Sequence, residues 1–210
     1  MILVVALLIA LQSALPATLP APAAAKLRDS LKAAAAHKQH LWRDTPPFAG
    51  DLVNAYIEIP LGERRKFEFD MAKNDRAVDR VMPESIGGYP INYGIVPQTI
   101  SYDGDPFDAL VLGPAAGGGE LVKGVIVGIM HMDDEKGLDS KVILSRVGAD
   151  GKPTHELTEA DLKRLADFFD RYKREDGDPK TFATVTGWGT AADGLAFVRK
   201  THELFRQALK

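Results

Sequence analysis

The chain has 210 residues, 45% hydrophobic and 26% charged, enough for one core and too little for two large domains. Its net charge of −3 argues against a nucleic-acid binder, which carries a basic excess, but leaves an anionic substrate open if metal ions attract it. Cysteine is absent, which excludes disulfides and a lipoprotein-type anchor. Met1 to Ala25 holds no charged side chain, and its apolar run Ile2 to Leu11 is too short for a membrane span, which needs ~20 residues. Ala21-Pro22-Ala23 and Ala23-Ala24-Ala25 both fit a small-x-small cleavage site, so residues 1–25 read as a secretory signal peptide. A periplasmic or secreted protein is expected, or a cytoplasmic one if this start is no functional signal.

Residues 26–50 read as a helical extension and linker. Lys26 to Trp42 is Ala-rich, with Asp29 or Ser30 as the expected cap, and Pro46 and Pro47 mark the linker. His37 and His40 stand at i, i+3, which suits a metal, but surface imidazoles are the better reading of all five histidines. Residues 51–210 form the main domain. Its first strand carries Glu58 in Tyr56-Ile57-Glu58-Ile59-Pro60. In Lys66-Phe67-Glu68-Phe69-Asp70 strict alternation puts Lys66, Glu68 and Asp70 on one face and the phenylalanines on the other. Arg80, Tyr89 and Tyr93 follow.

The run Asp103-Gly104-Asp105-Pro106-Phe107-Asp108-Ala109 sets three carboxylates on a Gly/Pro turn directly before the apolar stretch Leu110 to Leu112. Three like charges so close repel unless a cation sits among them, and hard oxygens suit Mg²⁺ or Mn²⁺. Taken alone, the run is equally a solvated acidic turn. A second acidic loop, Asp133 to Lys141, contains Asp134, Glu135 and Asp139 and lies between strand-like Leu121 to Met132 and Lys141 to Val147. Thr158 is a good cap for a helix running to about Glu175, whose last turn carries Tyr172 and Lys173. A final helix is expected from about Ala191 to Leu209. Short strands first and helices late mean an α+β architecture.

Three other motifs fall away. Gly187 to Ala192 matches a relaxed dinucleotide fingerprint but leaves no room for the following strand. Gly113 to Gly119 lacks the Lys-Ser/Thr of a phosphate loop. Asp103 to Pro114, read as a calcium loop, has Asp108 where glycine is needed and Pro114 where glutamate is needed.

From Tyr56 to the C-terminus the chain resembles the soluble family I inorganic pyrophosphatases. The seven-residue run from Asp103 matches their signature at every position. The ordered partial matches continue through Lys66-Phe-Glu, Arg80, Tyr89-Pro-Ile-Asn-Tyr93, Asp134-Glu135, Asp139-Ser-Lys141, Phe168 to Lys173 and Gly187-Trp188. One departure is the turn between Glu58 and Lys66, a residue shorter than in the bacterial enzymes. The resemblance implies a small, highly twisted, OB-like five-stranded β-barrel flanked by two α-helices, with 51–210 as the catalytic domain. It also implies Mg²⁺-dependent hydrolysis of pyrophosphate, with Mn²⁺ as a substitute, in a homo-oligomer.

By the same resemblance, Asp103, Asp108 and Asp139 hold the metals nearest the nucleophile. Asp134 with Asp139 holds a further ion, and Glu68 one that arrives with substrate. Asp105 is the general base. Lys66, Arg80, Lys141 and Lys173 clamp the phosphates, and Tyr93 and Tyr172 donate hydroxyl hydrogen bonds. Glu58 and Glu135 act through water contacts, and Tyr89 supports the cavity. The competing class is a non-catalytic secreted domain whose carboxylates hold a structural ion. Such a site does not need the pairing of acids with Arg80, Lys141, Tyr172 and Lys173.

Overall fold

The computed structural model describes residues 18–173 and 180–209. The apolar run Ile2 to Leu11 and the expected helix end at Glu175 lie outside the described residues. Five strands close into a ring. β2 (Leu52–Ile59) pairs antiparallel with β5 (Asn92–Val96), and β5 with β6 (Phe107–Leu112). β6 then runs parallel to β9 (Lys141–Arg146), and β9 pairs antiparallel with the 14-residue β7 (Leu121–Asp134). β7 returns to β2 through Val53↔Gly124 to Tyr56↔Leu121, which completes the expected five-stranded barrel and removes free edges. Close crossing of β5 on β2 requires a glycine: a Cβ on Gly94 would meet the Tyr56 carbonyl oxygen at 1.9 Å.

Further strands decorate the ring. β1 (Phe48–Ala49) pairs with β2, while β8 (Gly137–Leu138) and β10 (Ala183–Gly189) pair with β7. β3 (Arg65–Asp70) and β4 (Asp75–Val81) form a separate hairpin with Lys66 opposite Arg80. Ring residues Val53, Ala55, Ile57, Ala109, Val111, Val142 and Leu144 pack together with Val198 in one core cluster. Alternate residues of β6 and β9, Leu110, Leu112 and Ile143, bury in a second cluster, so these strands are covered on both faces.

Two helices flank the ring as expected: α3 (Glu159–Phe169) and α4 (Ala191–Ala208). Both begin in capping boxes, Thr158 with Asp161 and Thr190 with Asp193, each pair exchanging side-chain and backbone bonds. α3 stops at Phe169, so Tyr172 and Lys173 stand just beyond the helix rather than on its last turn.

The extension differs more. Its helix, α1 (Ala21–Ala35), begins five residues upstream of Lys26 and ends before Trp42, with neither Asp29 nor Ser30 capping it. Pro22 sits in the first turn, where its missing N–H costs nothing, so the alanines propagate helix upstream. A separate turn, α2 (Leu41–Asp44), carries Trp42. His40 is buried, contrary to the surface reading: its ring accepts from the Arg43 N–H, and its Nε2 bonds with the Met71 carbonyl. No helix among the described residues is long and apolar enough to cross a membrane.

Candidate active site

The ring's mouth gathers side chains from β2, β3, β5, β6 and β7 and from the segments beside β9 and α3. β2 supplies Glu58, β3 supplies Lys66 and Glu68, the approach to β5 supplies Tyr89, and β5 itself supplies Tyr93. Asp103 and Asp105 come from the turn before β6, Asp108 from β6 itself, and Asp134 from the end of β7. Asp139 precedes β9, and Tyr172 and Lys173 follow α3. These twelve expected residues line one cavity of about 130 Å³. The turn of 103–106 is held by Gly104 at φ +89°, by the Ser101 N–H donating to the Asp105 carbonyl (2.6 Å), and by the Asp105 N–H donating to Asp103 Oδ1 (3.0 Å). The turn after Glu58 closes with the Glu63 N–H on the Pro60 carbonyl, is tied by the Gly62 N–H to the Tyr89 carbonyl, and delivers Lys66 to the cavity.

Three expected residues are not among those lining this cavity. Lys141 is 1% exposed, and its Nζ bridges Asp108 Oδ2 (2.6 Å) and Asp139 Oδ1 (2.9 Å). Glu135 reaches the site through Lys173, whose Nζ donates to Glu135 (2.9 Å) and to Asp134 Oδ2 (2.7 Å). Arg80 approaches the Tyr172 ring, its Cζ 5.9 Å from the ring centroid. Lys66 pairs with Glu68 and, at 3.1 Å, with Asp79. Two cations escaped sequence reasoning. Lys136 lines the cavity, and its N–H donates to Asp134 Oδ1; its place between Asp134 and Asp139 was the available signal. Lys26 donates from α1 to Asp105 Oδ2 at 2.6 Å, a contact 79 residues apart with no local signal.

Burial and crowding push three of these carboxyls up, Asp105, Asp139 and Glu58. Asp105 rises to about 6 through burial and the adjacent Asp103 charge, against the pull of Lys26. Asp139 rises to about 7 through burial, although Lys141 lowers it, with Asp108 and Asp134 adding repulsion. Glu58, 4% exposed, is driven well above the carboxylate range by burial and by Asp108, while its Oε1 accepts the Phe69 N–H. Lys141 keeps its charge because Asp108 and Asp139 outweigh the burial that disfavours it. Tyr89, Tyr93 and Tyr172 are all raised, burial being the largest cause.

Among the described residues no three carboxylates or imidazoles close on one point as a ready-made cation cage. The carboxylates instead share the cavity, and lysines partner several of them. This donor set fits a hard divalent ion: the ligands are oxygens, and Asp105 and Asp139 remain short of positive charge even beside their lysines.

Comparison with known proteins agrees with this geometry. The family described as Inorganic pyrophosphatase matches residues 55–206. The inorganic pyrophosphatase of Aeropyrum pernix is 38% identical over 168 residues, covering 76% of this chain and 93% of its own. That of Saccharolobus solfataricus is 36% identical, covering 76% and 95%. Among solved structures, the inorganic pyrophosphatase from Thermus thermophilus superposes with a TM-score of 0.72 at 31% identity, covering 80% of this chain and 99% of its own. The enzyme from Coxiella burnetii gives 0.68 at 36% identity, covering 77% and 99%. The match across 55–206, the ring and its acidic mouth together mean that the chain belongs to the soluble family I inorganic pyrophosphatases, hydrolases of the phosphoanhydride bond.

Proposed function

We propose that the protein hydrolyses inorganic pyrophosphate to two orthophosphates with divalent cations, Mg²⁺ or Mn²⁺, and with Asp105 as general base. The observation carrying this reading is the single cavity in which carboxylates and phosphate-binding side chains face one another. Asp103, Asp108 and Asp139 would hold the cations nearest the attacking water, Asp134 with Asp139 a further one, and Glu68 one that enters with substrate. A bound cation neutralises phosphate oxygens and lowers the pKa of its water from 15.7 towards ~7.

The chain's own groups do the rest. Asp105 Oδ accepts the proton of the attacking water, its basicity favoured by burial and by the adjacent Asp103 charge. The water oxygen bonds to one phosphorus, the bridging P–O bond breaks, and its electron pair leaves on the other phosphate. Lys66, Arg80, Lys141 and Lys173 hold phosphate oxygens, Arg80 through its planar fork and the lysines as point charges. Tyr93 and Tyr172 are protonated at neutral pH like any phenol, and burial raises them further, so both remain donors. Tyr89 packs edge-on against Tyr93, ring centroids 5.6 Å apart, and fixes its direction. Glu58 and Glu135 orient neighbours, Glu58 by holding β3 through the Phe69 N–H and Glu135 by holding Lys173. Orthophosphate release from pyrophosphate should require a divalent cation and vanish reversibly with a chelator. Full activity after exhaustive metal removal would contradict the mechanism.

Export is part of the reading. The uncharged start and the small residues before Lys26 support cleavage between Ala23 and Lys26 and a location outside the cytoplasm. That cut falls within the first turns of α1. N-terminal sequencing should find a chain beginning at residue 24 or 26; an intact Met1 on cytoplasmic protein contradicts export.

A further inference from the structure

α1 lies outside the matched segment 55–206, yet it reaches the catalytic turn. Leu27 and Ala34 are buried in a cluster with Trp42, Tyr56, Ile95 and Phe205, which seats the helix firmly on the domain. Arg43 Nη1 donates to the Ala34 carbonyl and ties down the far end. At the near end, α1 covers Gly104. A Cβ there would lie 2.9 Å from the Ala23 carbonyl oxygen and 3.0 Å from Lys26 Cβ, so only glycine admits this contact. Ala23 is 2% exposed as a result.

The helix thereby delivers one ammonium to the acidic mouth. Lys26 Nζ sits 2.6 Å from Asp105 Oδ2 and in the field of Asp103 and Glu68. Burial works against its charge, but those carboxylates outweigh it and hold Lys26 above its ordinary range. An ammonium whose neighbours are Asp105, Asp103 and Glu68 is chemically a resident counter-cation of that cluster. The side chain remains 46% exposed, so it has room to swing away.

We propose that Lys26 competes with the divalent cation for the Asp103–Asp105 side of the mouth, so that α1 sets the metal concentration at which the site fills. This rests on the metal-dependent reading above. Both expected cleavage points precede Lys26, so the residue is kept, although either cut would remove Ala23 and its contact with Gly104; the full chain is therefore the form to test.

The test is Mn²⁺ binding to the full chain without pyrophosphate, followed by calorimetry, for wild type, Lys26→Met, Lys26→Gln and Lys26→Arg. Melting curves establish that each variant folds, and Gln serves if Met does not. Removing the charge should tighten Mn²⁺ by on the order of tenfold, the size expected for one positive charge a few ångströms from a divalent ion in water-rich surroundings. Lys26→Arg should stay near wild type. Saturating Mn²⁺ should also speed hydrogen exchange at the first turns of α1 in wild type but not in Lys26→Met. Equal or weaker Mn²⁺ affinity in the uncharged variants overturns the proposal while leaving the metal reading intact. No Mn²⁺ binding by any variant removes the metal reading and the proposal with it.

Discussion

The ring's packed interior and its mouth are built from the same strands and follow opposite rules. In the interior, Val53, Ile57, Ala109, Val142 and Leu144 bury completely, with no charge among them. A few residues along the same strands, Glu58, Asp108 and Lys141 place charges in or beside the buried region. Burying an ionised group is costly unless it is paired, and the mouth answers with alternating signs: Lys141 between Asp108 and Asp139, Lys173 between Asp134 and Glu135. The pairing is incomplete, as the raised carboxyls of Asp105 and Asp139 record. One region stores stability; the other spends part of it holding charge where chemistry needs it.

The largest contrast comes from paired variants. Leu144→Ala, at a fully buried interior position, should cost ~2–5 kcal/mol in denaturant unfolding and leave turnover per folded molecule unchanged. Asp108→Asn should do the reverse. It keeps an oxygen for Lys141 and relieves repulsion on Glu58 and Asp139, so stability changes far less, while cation affinity and turnover both fall. Equal stability losses in the two variants would erase the distinction.

A smaller effect separates the regions by the sign of their pH dependence. Asp105 is raised from 3.8 to about 6, so between those values the folded state binds the proton first. Its contribution to stability therefore grows as pH falls from about 6 to about 4. Asp161, the capping carboxylate of α3, is lowered from 3.8 to about 2, because bonds from Thr158 and His155 outweigh its burial. Its contribution is present above about 4 and is lost as pH falls towards 2. In chelator, melting of Asp105→Asn should thus lack the gain on acidification that wild type shows. Asp161→Asn should instead lose ~1 kcal/mol at neutral pH and less in acid. Parallel pH curves for both variants would contradict the assignment.

Much of this was readable in the chain. The alternation in 66–70, the cap Thr158, and the turn of 103–109 are local signals, and each sits where its chemistry suggests. Barrel closure was reached only through family resemblance, because nothing in Val53 to Tyr56 names Leu121 to Gly124 as partners. Pro22 reads as a breaker unless its first-turn position is known, which hid the true start of α1. His40 looked like any exposed imidazole because its Met71 partner is 31 residues away. Lys26 was invisible for the same reason: its partner is 79 residues away.

The central claim is that the mouth performs base-assisted hydrolysis with Asp105 receiving the proton. Turnover of pyrophosphate by Asp105→Asn at saturating Mg²⁺, with cation affinity measured alongside, tests it most directly. Asn keeps the shape and can bond water but cannot accept its proton, so turnover should fall ~10²–10⁴-fold while the fold and most cation affinity persist. Near-normal turnover in Asp105→Asn would contradict the account.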